Sequence, residues 1–136
     1  MFELLLPYPI STNRYWRTFR NRMVRSKEAV EYKSEVEDIA SAIITKEMDG
    51  CIKVDLTLHP ERPKDWEKRA RKDPRWVLGV RRMDLDNALK VALDAMQGIA
   101  YEDDRSITDI RIRLRDPIDG GGLTVKISTD EFWESP

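Results

Sequence analysis

From Ile52 to Leu58 every second residue is apolar: Ile52, Val54, Leu56 and Leu58 alternate with Lys53, Asp55 and Thr57. Period-two patterning of this kind belongs to a strand with one face on a core and the other toward water. The chain must therefore build a sheet. Shorter runs supply further strands. Phe2, Leu4 and Leu6 alternate with Glu3 and Leu5 until Pro7 and Pro9 stop them. Thr108, Ile110, Ile112 and Leu114 alternate with Asp109, Arg111, Arg113 and Arg115. Leu123, Val125 and Ile127 form the last run, and Asp116 to Gly122, with its consecutive glycines, reads as the turn of a hairpin joining the last two strands. Val77 to Met83 reads as one more short strand.

Two segments have helical spacing instead. Ser26 is placed to cap a helix running to about Met48, with Ala29, Tyr32, Val36, Ile39, Ala40, Ile43 and Ile44 on its buried stripe and Asp49-Gly50 at its end. Asn87 to Gly98 is the second, with Leu89, Ala92, Leu93, Met96 and Ile99 recurring at three- and four-residue steps and Asp86 at the N-terminal edge. A chain of 136 residues makes about one domain with one core. The expected fold is α+β: one domain over 1–136, a mixed β-sheet of about four to five short strands, and two main helices. Between them, 61–76 is a charged insertion bracketed by Pro63 and Pro74 and carrying Trp66 and Trp76. It reads as a short helix or a mobile flap, either a lid over substrate or a solvated excursion. Asp130 to Pro136 reads as a frayed tail.

Composition narrows the function. Cys51 is the only cysteine, which excludes an intrachain disulfide, and nothing resembles a signal peptide or a membrane span, so a soluble cytoplasmic protein is expected. The net charge of -1 is unevenly spread: residues 1–82 carry 18 Lys+Arg against 13 Asp+Glu, and residues 83–136 carry 6 against 12. A near-neutral total thus leaves room for a nucleic-acid partner. His59, the only histidine, stands at a strand end and has no second histidine to share a metal with.

The chemistry gathers around Asp84-Leu85-Asp86-Asn87, Lys90 and the pair Asp103-Asp104. Carboxylates at i and i+2 share a side only on an extended or turning segment, which a helix beginning near Asn87 allows. Lys90 lies one turn beyond Asp86 on the same face. After Gly98 a short return leads to Asp103 and Asp104, which could bring a third carboxylate beside the first two. Oxygen-only donors with open positions suit magnesium or manganese together with a substrate phosphate. The plainer reading makes Asp86 a cap, Lys90 an ion-pair partner of Asp86 and Asp94, and Asp103-Asp104 a solvated turn. It leaves the like-charged pair beside Glu102 without a neutralising partner. A second cluster is cationic: five arginines from Arg14 to Arg25 interleave with Tyr15, Trp16 and Phe19. They fit a surface that grips phosphates and stacks on bases, or a loop whose Tyr15 and Trp16 anchor it to the core.

The run Arg82-Met83-Asp84-Leu85-Asp86-Asn87-Ala88-Leu89-Lys90, then Leu93-Asp94-Ala95-Met96, then Asp103-Asp104 and Ile107, resembles the signature of the RusA-type Holliday junction resolvases, endodeoxyribonucleases common in prophages. Leu6-Pro7-Tyr8-Pro9 with Ser11, Asn13, Arg14 and Tyr15 is similar to that family's proline-rich opening. The likeness covers the chain except about Glu61 to Arg81, which is longer than in compact members. It implies metal ligation by Asp84, Asp86 and Asp104 with Asp103 as neighbour, an essential lysine at Lys90, magnesium dependence with manganese substituting, and an obligate homodimer that cleaves four-way DNA junctions. Asn13, Arg14, Arg17, Arg20, Arg22, Arg81 and Arg82 are the expected DNA contacts. Two other readings stand beside it: a non-catalytic branched-DNA binder, and a metal-dependent phosphohydrolase of small nucleotides.

Overall fold

In the computed structural model, which describes residues 1–134, the alternating runs assemble into a four-stranded sheet. Its strands are β1 (Phe2–Leu6), β4 (Ile52–His59), β5 (Ile107–Leu114) and β6 (Gly122–Thr129), in the order β1-β6-β4-β5. β6 runs antiparallel to both β1 and β4, while β5 pairs with β4 in parallel. A parallel pair needs a long crossover, and residues 60–106 supply it, carrying the short helix α3 (Trp66–Lys72) and the longer α4 (Leu85–Met96).

The alternation decides which face is covered. Leu4, Leu6, Ile52, Val54, Leu56, Leu58, Leu123, Val125 and Ile127 are buried on one side, where α4 and α2 (Lys27–Ser41) lie. α4 turns Ala88, Val91, Ala92, Ala95 and Met96 into this core. Three of those five are alanines, which let the helix backbone approach its neighbours closely. The opposite face is polar. There Arg113 forms an ion pair with Asp55 at 2.7 Å, so one of the arginines of β5 is engaged within the sheet.

Four expectations change. β5 and β6 are not a hairpin: they flank β4 on opposite sides, and Asp116 to Gly122 crosses the end of β4 instead of turning tightly. That connection is held by Glu61 bridging to Ile118 and by the Arg62 N–H donating to the Ile118 carbonyl at 2.9 Å. Gly121, at φ +69°, has the Tyr8 ring within 3.0 Å of where a Cβ would sit, so only glycine fits. Secondly, α2 is capped by Ser26 as expected, its hydroxyl accepting from the Ala29 N–H at 3.1 Å, but it ends at Ser41. The β-branched run Ile43-Ile44-Thr45 follows, leaving Ile43 exposed and Ile44 buried. Thirdly, Val77 to Met83 is no strand; a 3-10 turn at Trp76–Gly79 leads into irregular chain. Fourthly, the arginine-rich loop contains a short helix, α1 (Thr12–Tyr15), and a hairpin of β2 (Trp16–Phe19) and β3 (Arg22–Arg25). The charged insertion is ordered by a tilted Trp66–Trp76 pair, 6.3 Å between rings, with the Arg62 guanidinium over Trp66 at 4.7 Å. Of the tail, Glu131–Trp133 forms a 3-10 turn, and Ser135 and Pro136 lie outside the described residues. No helix among the described residues is long and apolar enough to cross a membrane.

Candidate active site

α4 begins two residues earlier than its apolar spacing suggests. Asp84, not Asp86, occupies the N-cap position, with extended backbone (φ −68°, ψ 147°), and its carboxylate accepts no capping bond. Asp86 lies inside the first turn and Lys90 one turn on, all three exposed. Among the described residues none of the three has an oppositely charged partner within 4.0 Å. The ion pairs that would have made Lys90 a surface ornament are therefore absent.

The N-terminal segment steers this end of the helix. Tyr8 accepts a hydrogen bond from the Met83 N–H at 2.8 Å, fixing the chain just before Asp84. Thr12 donates to Asn87 at 3.4 Å, which turns the asparagine toward α1 and sets Asn13 and Arg14, both exposed, beside it.

Asp103 and Asp104 stand elsewhere. The return after α4 closes against its C-terminal end: Gly98, at φ +87°, donates its N–H to the Tyr101 carbonyl at 2.7 Å, and the Tyr101 hydroxyl donates to the Leu93 carbonyl at 2.5 Å. Asp103 accepts from the Arg105 N–H at 2.9 Å, capping a 3-10 turn over Asp104–Ser106. The Asp104 carboxyl, which when protonated donates to the Asp103 carboxylate, is held above its ordinary value by that bond, with slight desolvation and the negative charges of Asp103 and Asp94 acting in the same direction. Asp103 is held down by the Arg105 N–H and its share of the same bond. The return brings Asp104 within reach of the charge of Asp94, in the last turns of the twelve-residue α4, whereas Asp84 and Asp86 lie at its first turn. Among the described residues, no three acidic, histidine or cysteine side chains come close enough to share a metal ion.

Asp94, near that same C-terminal end, is engaged structurally. It accepts from the Tyr15 hydroxyl and pairs with Arg25 through two bonds of 2.7 and 2.8 Å. Burial raises its pKa, but the bonds from Arg25 and Tyr15 outweigh that and hold it below the ordinary carboxylate value. Tyr15 is fully buried, so the anchoring reading of this aromatic residue applies.

The arginines consequently divide. Arg25 is tied to Asp94 and Arg14 to Glu28 at 2.5 Å. Arg17, Arg20 and Arg22 stand exposed on the β2–β3 hairpin, whose turn at Arg20 and Asn21 has φ of 50° and 62°. Phe19, half exposed, lies under the guanidiniums of both Arg17 and Arg20 at 5.3 Å. Arg81 and Arg82 line an open groove of about 990 Å³, together with Arg14, Arg62, Lys64 and Arg69. Glu61 is its one acidic lining residue. The contribution of Arg62, Lys64 and Arg69 was visible in sequence only as the charge density of the insertion.

Known proteins match this sequence along nearly its whole length. The family model of the endodeoxyribonuclease RusA matches residues 7–128. The chain belongs to the RusA endodeoxyribonuclease family. It is 30% identical over 128 residues to the crossover junction endodeoxyribonuclease rusA of Enterobacteria phage HK97, covering 93% of each chain. The RusA of Escherichia coli strain K12 is 30% identical over 130 residues, again covering 93% of each. The donor set of this RusA-family chain is of the type a hard divalent cation takes: exposed carboxylates at the α4 N-terminus and a second exposed like-charged pair at Asp103-Asp104.

Proposed function

We propose that the chain is a magnesium-dependent endodeoxyribonuclease that resolves four-way DNA junctions in recombination and repair, working as a homodimer. The reading rests chiefly on Asp84, Asp86 and Lys90, three exposed charges without ionic partners at one helix start, in a chain whose relatives are crossover junction endodeoxyribonucleases.

Magnesium, with manganese as a substitute, would be held by Asp84 and Asp86 with Asp103 and Asp104, and would supply an activated water and charge stabilisation at phosphorus. Lys90 adds fixed positive charge beside the scissile phosphate, where charge accumulates as the leaving oxygen departs. Arg17, Arg20 and Arg22 on the hairpin, with Asn13, Arg14, Arg81 and Arg82, hold the backbone around it.

Among the described residues one chain brings no three acidic side chains together, and a two-fold pair in which the α4 N-terminus of one protomer met Asp103 and Asp104 of the partner subunit would complete the donor set and give two equivalent sites. Two sites suit a junction that must be cut on two opposed strands. A synthetic four-way junction incubated with and without magnesium tests the reading: wild type is expected to give paired nicks only with the ion, and Asp86→Asn none. A chain that binds the junction but never nicks it would be a branched-DNA binder instead. Mixing Asp86→Asn with Asp104→Asn tests the shared site, since the mixed dimer regains one intact site and nicks a single strand. Two inactive variants that stay inactive together would sink it.

A further inference from the structure

The groove beside Asp84 is more than a rim of charge. Its floor is built from Tyr8, Pro9, Ile10, Val80 and Met83, and both walls are pinned. Tyr8 is bonded to the Met83 N–H at 2.8 Å, and Arg62 to the Ile118 carbonyl at 2.9 Å through its N–H. The crossover segment that forms one wall is braced by the Trp66–Trp76 pair with Arg62 stacked over Trp66.

Of the six lining cations, Arg14 and Arg69 are offset by Glu28 and Asp65, the latter at 2.9 Å. Arg62, Lys64, Arg81 and Arg82 have no carboxylate within 4.0 Å among the described residues. Four uncompensated cations along one trough, with a single acidic neighbour, form a surface for a polyanion. Met83, one residue before Asp84, lines the trough. A phosphodiester chain with its reacting linkage at Asp84 and Asp86 can therefore continue along it. The trough is open rather than enclosed, which suits a backbone passing through and not a small nucleotide held on all sides.

We infer that the crossover segment 61–82 is a second DNA-binding wall, in which Arg62 and Lys64 join Arg81 and Arg82 to hold the phosphate backbone of a duplex arm leading away from the cut site. The inference rests on the junction-resolvase reading and names a contact beyond it.

The test is binding of a fluorescent synthetic four-way junction by the full chain without divalent ions, across a salt series. Arg62→Gln with Lys64→Gln is expected to weaken binding roughly tenfold at low salt and to lower the slope of log affinity against log salt by about 2, one for each lost phosphate contact. Shortening the junction arms should weaken wild type and leave the double variant unmoved. Both positions are exposed, and an unchanged circular dichroism spectrum confirms that the variant folds. A cysteine placed by Lys64→Cys should also crosslink to arm DNA. Equal affinity and slope for the two proteins, with wild type still nicking, overturns the groove and spares the resolvase reading. Poly-glutamate competing as well as duplex DNA assigns the trough to an acidic protein and overturns the inference. A wild type that binds no DNA overturns both.

Discussion

At the N-terminal end of α4, Asp84 and Asp86 are exposed and have no cationic partner within 4.0 Å among the described residues. At the other end, Asp94 is gripped by Tyr15 and Arg25, and Lys33 donates to the carbonyls of Asp94, Ala95 and Gln97 at 3.0, 3.3 and 2.9 Å. One helix thus carries acidic side chains of opposite fate. The C-terminal group is satisfied, so its value is to the fold: it fastens the first hairpin and α2 to α4. The N-terminal group is unsatisfied, and the carboxylates contribute nothing visible to stability. Charges kept exposed and unpaired at a helix start are available to a ligand, and that availability separates the two ends more sharply than residue type does.

The largest expected effect is at the free end. Asp86→Asn should lower junction cleavage roughly 10³-fold, since several kcal/mol of transition-state stabilisation depend on the ligand set. Binding measured by gel shift should be retained. Cleavage at the wild-type rate under equal magnesium would mean that this end is as structural as the other. Next comes Asp94→Asn, which leaves Arg25 and Tyr15 without their acceptor. The side chain of Asp94 is 17% exposed and that of Arg25 39%. The cost should therefore fall below that of a fully buried pair, at about 2 kcal/mol in urea unfolding. A loss below about 0.5 kcal/mol would make Asp94 as free as Asp86.

This contrast was not legible in the spacing of the residues. Asp86, Lys90 and Asp94 recur every four positions and look alike on a helical wheel, but Tyr15 and Arg25 reach Asp94 from 79 and 69 positions away. Local patterning did show β4, the Ser26 cap, the Gly98 stop and the apolar face of α4, because each depends on neighbours within a few residues. The β2–β3 hairpin was hidden because its turn uses Arg20 and Asn21 at positive φ without a glycine. The separation of β5 from β6 was hidden because strand order is decided by non-local pairing: β4 accepts a partner on each edge, and the crossover lets β5 arrive in parallel. The acidic motif identified the residues of the candidate site, whereas their distribution along α4 required the fold.

Lys33 gives a smaller effect at the satisfied end. The last carbonyls of a helix have no partners within it, and a cation there is favoured by the helix dipole. Burial lowers the pKa of Lys33, with the charge of Asp94 acting in the other direction. Lys33→Met keeps the aliphatic packing and removes the three bonds, so about 1–2 kcal/mol of stability should go. Junction cleavage per folded molecule should change far less than with Asp86→Asn. If cleavage falls first while the unfolding midpoint stays put, the two ends of α4 are coupled rather than separate.

The smallest effect is a null at the free end. Asp86→Asn and Lys90→Gln remove exposed groups without ionic partners, so each should alter stability by less than about 0.5 kcal/mol. At the other end, the folded pKa of Asp94 lies below its ordinary value of 3.8. A carboxylate with a depressed folded pKa binds fewer protons in the native state than in the unfolded one. Its stabilisation is therefore complete above the unfolded value and is lost as pH falls through the folded one. The stability difference between wild type and Asp94→Asn should be flat near neutrality and shrink below about pH 4. Urea midpoints for the two proteins across that range read this directly. A difference that stays unchanged down to about pH 2 would show that the charge of Asp94 is not what fastens Arg25 and Tyr15, and the contrast between the two ends of α4 would fail.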